Sequence, residues 1–205
     1  MKVGVLISGR GTNLKSLIDA CASPDFPAEI VIVISNKADA GGLQFARDAG
    51  IATRVISHRD YDSREAFDRV MDEALRAAGA DLVCSAGFMR ILSDEFVEKW
   101  HNRQLNIHPS LLPSFKGLNV YARAIEAGCK VSGCTVHFVR AAMDEGPIVA
   151  QTAVPVLEGD TPDTLAARIL KAEHKLYPHA LRLVAEGRVK IVDERCVIEG
   201  DTSAA

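Results

Sequence analysis

The sequence predicts an α/β fold: a mostly parallel, Rossmann-like doubly wound sheet with an antiparallel C-terminal addition. Three observations predict it. Strand-like stretches recur at residues 3–7, 29–34, 52–56, 81–86 and 104–108, the first two rich in Val and Ile. Stretches with helical spacing of apolar residues separate them, the alternation of a parallel sheet whose strands are covered on both faces. After Pro113 the pattern changes, and residues 131–139 and 148–155 alternate apolar with polar side chains, as an antiparallel pair does.

Residues 3–7, bounded by Gly9, read as the first buried strand. Ser8-Gly9-Arg10-Gly11-Thr12-Asn13 follows, then Leu14, Leu17, Ile18 and Cys21 at helical spacing. This is strand, glycine turn, helix. N–H groups freed at the helix start, with the helix dipole behind them, suit a phosphate. Thr12 and Asn13 are expected to cap that helix. Asn13-Leu14 stands where a dinucleotide loop has its third glycine, and no Lys-Ser/Thr pair completes a Walker-type loop. A small phosphate monoester therefore fits better than a pyrophosphate; a turn that only joins strand to helix is the alternative.

A second strand, 29–34, ends at Ser35-Asn36-Lys37. A helix over 43–49 is stopped by Gly50, and 52–56 makes a third strand. Asp62 or Ser63 caps a helix carrying Phe67, Val70, Met71, Ala74 and Leu75. Arg64 lies in its first turn, where a cation opposes the dipole; it serves a ligand or is simply solvated. The fourth strand, 81–86, leads into Gly87-Phe88-Met89-Arg90-Ile91-Leu92. Three large apolar side chains and an arginine at a strand's carboxyl end can wall a pocket for a flat ligand with an acidic tail, or line the core. Ser93 caps a helix through Trp100.

Within Leu105-Asn106-Ile107-His108-Pro109, Leu105 and Ile107 point to one face of a strand and Asn106 and His108 to the other. The prolines that follow end the strand. An amide donor and a proton-carrying ring at a strand's carboxyl end make a reaction centre or a polar strand terminus; ligands of open α/β sheets gather at that end. A helix over 120–127 is closed by Gly128. Between the last two strands lies Asp144, a candidate carboxylate or a turn aspartate before Gly146-Pro147. His137 reads as a structural histidine. Thr161-Pro162-Asp163 is a cap, N1 proline and acidic N2. The helix that follows carries Leu165, Ile169, Ala172, Leu176, Ala180 and Val184 along one stripe. Glu173 falls at the margin of that stripe, facing a cleft or the solvent edge, and Pro178 should kink or break the helix. Residues 188–198 hold two short strand-like pieces, and 199–205 are expected to fray.

The net charge of −3 argues against a broad nucleic-acid or anionic-membrane footprint, and no apolar run approaches a membrane span. The short apolar start at Met1 does not read as a secretory signal, so a cytoplasmic location is expected. Five cysteines at irregular spacing form no zinc pattern and read as small apolar fillers kept reduced. No metal is expected.

Five motifs in order carry a resemblance: I-S-G-R-G-T-N (7–13), S-N-K-A-D-A (35–40), A-G-F-M-R-I-L (86–92), L-N-I-H-P-S-L-L-P (105–113) and D-E-G-P-I (144–148). From Val3 to about Gly187 the chain resembles the folate-dependent formyltransferases, and among them the phosphoribosylglycinamide formyltransferases of purine synthesis. The resemblance implies one formyltransferase domain, 1–205, with a phosphate-binding half at about 1–100 and a folate-binding and catalytic half at about 101–205. It implies that Gly11, Thr12 and Asn13 hold the phosphate of glycinamide ribonucleotide, with Thr12 where many members have serine. Glu173 would bind the ribose-glycinamide part. Arg64, Met89, Arg90, Ile91 and Leu92, with Asn106, would form the site for 10-formyltetrahydrofolate, a co-substrate. Asn106, His108 and Asp144 resemble the catalytic trio. Asn119-Val120-Tyr121 departs from relatives that often carry a histidine there.

Such an enzyme would have the two small molecules as partners, no nucleic acid or membrane, and room for a homodimer. Free histidine titrates near pH ~6.5, so His108 needs a carboxylate beside it to stay charged at neutral pH. Formyltetrahydrofolate hydrolase is the alternative, since it needs the same trio with water as acceptor; an N-terminal regulatory domain is expected of it. Methionyl-tRNA formyltransferase would need a further domain for tRNA. A non-catalytic phosphate or nucleotide-binding module would use the glycine loop alone and leave Asn106 and His108 without a role.

Overall fold

The Val- and Ile-rich runs form strands where their spacing places them. The computed structural model describes residues 1–200, and the chain divides into two units, Met1–Asn106 and Ile107–Ala205.

The first unit holds β1 (Lys2–Ile7), β2 (Glu29–Ser35), β3 (Thr53–Val55), β4 (Leu82–Ser85) and the start of β5 (Gln104–His108). They lie in the order β3-β2-β1-β4-β5, all parallel. The chain winds outward from β1 to β3, then returns to β4 on the other side of β1. The strand order thus reverses between β1 and β4, the switch point of a doubly wound sheet. The helices are α1 (Thr12–Cys21), α2 (Gly42–Asp48), α3 (Arg64–Ala77) and α4 (Asp94–Lys99). On α3, Phe67, Met71, Ala74 and Leu75 recur at helical spacing and pack with Leu6, Ile34, Val83, Phe96 and Trp100. Each such large side chain contributes about 1.5–3 kcal/mol on burial. Ser63 and Ser93 cap α3 and α4 by accepting the N–H of Ala66 and Phe96. Trp100 donates to Asp72 Oδ1 at 3.0 Å, and Arg76 donates to the same oxygen at 2.8 Å.

In the second unit, β6 (Val131–Phe138) and β7 (Ile148–Pro155) pair antiparallel, with Thr135 opposite Gln151. Around them are α5 (Val120–Glu126), α6 (Pro162–Ala185) and the hairpin β8 (Val189–Val192) and β9 (Arg195–Ile198). Thr161 starts α6 with a capping box, exchanging side-chain and backbone bonds with Thr164.

Three local expectations need correction. Pro178 does not break α6, which runs unbroken over 24 residues. Leu176, Tyr177, Ala180, Leu181 and Leu183 are buried on both sides of it, and that packing outweighs the one backbone bond a proline removes. Thr12 and Asn13 do not cap α1: Gly11 is the cap, at φ 74°, and Thr12 is the first helical residue. Glu199 does not fray, since its N–H donates to Arg188 O at 2.8 Å and Arg188 Nε donates back to Glu199 O at 3.0 Å. The rest of the expected frayed tail, 201–205, lies outside the described residues. Among the described residues no helix is long and apolar enough to cross a membrane, and none of the five cysteines forms a disulfide.

Candidate active site at the end of β5

His108 is the last residue of β5, and Pro109 ends the ladder. The loop that follows is anchored by its own polar groups. Ser110 Oγ donates to Ser114 O at 2.6 Å and to Phe115 O at 3.2 Å. From β6, Thr135 Oγ1 donates to Ser110 O at 2.7 Å and accepts the N–H of Leu112 at 3.1 Å. From β7, Gln151 Nε2 donates to Leu112 O at 2.9 Å. The loop therefore turns back over the residue it left, and His108 Nε2 lies 3.0 Å from Phe115 O.

A carbonyl only accepts, so this contact puts a hydrogen on Nε2. The other ring nitrogen, Nδ1, lies 3.4 Å from Asp144 Oδ2. Both nitrogens thus face acceptors, an arrangement that the imidazolium satisfies in full. Asp144 sits at φ 57° in the loop between β6 and β7, and its Oδ2 accepts the N–H of Gly117 at 2.8 Å. Its Oδ1 lies 3.8 Å from His137 Nε2. Burial pushes the pKa of His137 down from 6.5, against the upward pull of Phe138 O and Asp144. It stays neutral at neutral pH, its Nδ1–H given to Phe138 O at 2.9 Å. Beside these groups opens a pocket of about 240 Å³, lined by Leu112, Pro113, Lys116, Asp144, Gly146 and Ile148 among others.

The structure brings His108 and Asp144 together. Asn106 lies two residues before His108 on the same strand, in register with Ser85 of β4. Glu173 is only 5% exposed, within α6, so it does not rest at a solvent edge. Together with burial, its charge pushes the Cys134 thiol up to about 12. Gly11 opens α1, and no acidic side chain in the first turn, which includes Thr12 and Asn13, offsets the helix dipole. A Cβ on Gly11 would come within 2.3 Å of Gly42 Cα, so the turn needs glycine for space as well as for its positive φ.

The loop after β4 divides its side chains. Met89 and Ile91 are 66% and 59% exposed, while Phe88 and Leu92 pack on the core. Met89 N–H donates to Ser8 Oγ at 2.8 Å, and that hydroxyl donates to Asn36 Oδ1 at 2.6 Å. Arg64 and Arg90 are exposed. Sequence reasoning missed the part His137 plays beside Asp144, and it missed the backbone of Phe115 and Gly117. His137 shares a strand face with Thr135 and lies seven residues before Asp144, but that spacing is also what any buried strand histidine shows. Among the described residues, no group of three or more His, Cys, Asp or Glu is placed to hold a metal ion.

Residues 1–181 match the formyl transferase family. The chain belongs to that family. Over 190 residues it is 56% identical to the trifunctional purine biosynthetic protein adenosine-3 of Bos taurus, with 93% of this chain and 19% of that protein covered. It thus spans about a fifth of the length of such animal relatives. It is 44% identical to the phosphoribosylglycinamide formyltransferase of Escherichia coli (strain K12), with 98% of this chain and 94% of that enzyme covered. Among solved structures, glycinamide ribonucleotide transformylase 1 from Symbiobacterium toebii superposes with a TM-score of 0.94 at 52% identity, covering 97% of this chain and 93% of that one. The family match includes the glycine turn, the end of β5 and the Asp144 loop.

Proposed function

We propose that this chain transfers the formyl group of 10-formyltetrahydrofolate to the amine of glycinamide ribonucleotide, giving formylglycinamide ribonucleotide for purine synthesis. The observation that carries the reading is the pair His108 and Asp144, 3.4 Å apart and braced by the loop after β5, in a chain matching a formyltransferase over nearly its whole length.

The glycinamide amine attacks the formyl carbon, and the carbonyl oxygen becomes an oxyanion. Asn106 donates a hydrogen bond to that oxygen through its side-chain amide. His108, as imidazolium, donates a second. The new ammonium loses a proton through a water ordered by Asp144. The C–N10 bond then breaks, the carbonyl re-forms, and the departing folate nitrogen takes a proton from His108. Asp144 holds the imidazolium in place through Nδ1. Gly11, Thr12 and Asn13 bind the phosphate at the start of α1, and Glu173 binds the ribose-glycinamide part. Arg64, Met89, Arg90, Ile91 and Leu92, with Asn106, hold the folate. The phosphate site belongs to the N-terminal half of one formyltransferase domain, and His108 and Asp144 to the C-terminal half. The protein acts in the cytoplasm on these two small molecules, without metal or nucleic acid.

The test is a formyl-transfer assay with 10-formyltetrahydrofolate, with and without glycinamide ribonucleotide. The expected result is deformylation that needs the ribonucleotide and yields formylated product in equal amount. Deformylation at a comparable rate without the acceptor would replace the reading by the hydrolase. Binding of both ligands without turnover would reject catalysis by these residues.

A further inference from the structure

Arg123, on the exposed side of α5, touches nothing that reacts, yet it grips the backbone that braces the active pair. Its NH1 donates to Lys116 O at 2.7 Å and to Leu118 O at 3.3 Å. Its guanidinium lies 5.5 Å over the Phe115 ring. Three successive contacts thus bracket Phe115 to Leu118, the segment whose Phe115 carbonyl meets His108 and whose Gly117 N–H meets Asp144.

The decisive detail is covalent. The carbonyl of Lys116 and the N–H of Gly117 belong to one peptide unit, which is planar and trans, so they point in opposite directions. A guanidinium that fixes the oxygen fixes the direction of the N–H. A cation on the oxygen also draws electron density across the amide and makes the N–H a stronger donor. That donor ends on Asp144 Oδ2, the oxygen that faces His108 Nδ1. Gly117, at φ 77°, permits the turn.

We propose that Arg123 is a positioning residue, acting through the Lys116–Gly117 peptide to orient the Asp144 carboxylate against His108. Other bonds share in holding the loop: Lys116 Nζ to Glu145 Oε1 at 2.7 Å, and Ser110 Oγ to Ser114 O and Phe115 O. They anchor its flanks and one side chain; the guanidinium holds the peptide oxygen itself. The proposal rests on the formyl-transfer reading.

The experiment compares wild type, Arg123→Ala and Arg123→Lys in the acceptor-dependent transfer assay, with melting temperatures alongside. In Arg123→Ala, kcat falls about 10-fold, the scale of losing a partner that orients a reacting group. Both KM values stay within about twofold. Arg123→Lys, which keeps one bond to a carbonyl but not the fork, falls between and provides the readout if the alanine variant does not fold. Added guanidinium at millimolar concentration restores part of the alanine variant's kcat. An unchanged kcat, a loss matched by an equal rise in either KM, or a lysine variant no better than alanine overturns the proposal. Wild type without acceptor-dependent transfer would instead refute the proposed function, so the two failures are separable.

Discussion

Two loops that follow parallel strands behave in opposite ways. The one after β4 is tied by its backbone at Met89 to Ser8 and holds its side chains out, with Met89 and Ile91 mostly exposed. The one after β5 turns its backbone inward. Its Phe115 carbonyl and Gly117 N–H meet His108 and Asp144, and Ser110, Thr135, Gln151 and Arg123 hold the rest. Apolar side chains kept in water suit a ligand that will cover them; backbone groups fixed by several bonds suit chemistry that tolerates little displacement. The first loop should therefore govern affinity and the second rate.

The largest expected effect lies in the second loop's targets. His108→Ala and Asp144→Ala should each lower kcat at least 100-fold, the cost of removing an oxyanion donor or its support, while folate binding measured by titration persists. Near-normal turnover in either would sink the assignment. The first loop is tested by Met89→Ser combined with Ile91→Ser. Each loses roughly 1 kcal/mol or more of apolar burial against folate, so KM for the formyl donor should rise about 10-fold or more with kcat within twofold. A fall in kcat at constant KM would merge the two loops' roles.

A smaller effect concerns pH and stability. His137 is held neutral by burial, with its pKa below 6.5 in the folded state. Between that lowered value and about 6.5 the unfolded chain binds more protons than the folded one, so stability rises with pH across the window. It is fully present above about 6.5 and is lost on acidification. His174 is shifted the same way by burial. The melting temperature should fall from pH 7 to 5, and His137→Gln should flatten that slope; equal slopes would exclude the histidine. Asp68 should give the smallest change. Burial pushes its carboxyl pKa up against the Ser93 hydrogen bonds. Its Oδ2 accepts the Ser93 N–H at 2.6 Å, while Oδ1 is buried with no hydrogen-bond partner. Asp68→Asn keeps an acceptor for that N–H and removes a poorly solvated charge, so at pH 8 it should raise Tm by about 1–4 °C. A drop of that size would show that the charge itself is needed.

The strands were legible because burial on both faces leaves a sequence mark, the Val and Ile runs of β1 and β2. The caps at Ser63, Ser93 and Thr161 were legible because each satisfies a local rule. Thr12 misled, since a glycine in the left-handed region can cap as well and the close approach of Gly42 is a tertiary fact. Pro178 misled because the burial around it is not local either. At the candidate site, Asn106 and His108 announced themselves by alternation and by the prolines after them. Asp144 became more than a turn residue only through the resemblance, as its partner lies 36 positions away in sequence. The braces at Phe115 and Gly117 left no mark, because they act through backbone atoms that every residue has.

The most direct test of the account is whether His108 and Asp144 work as one unit. Single-turnover formyl transfer should be measured in the two alanine variants and in the double variant. The account predicts that the double variant is no slower than the worse single one, as for groups that act together. Losses that multiply would contradict it and assign the two residues independent roles.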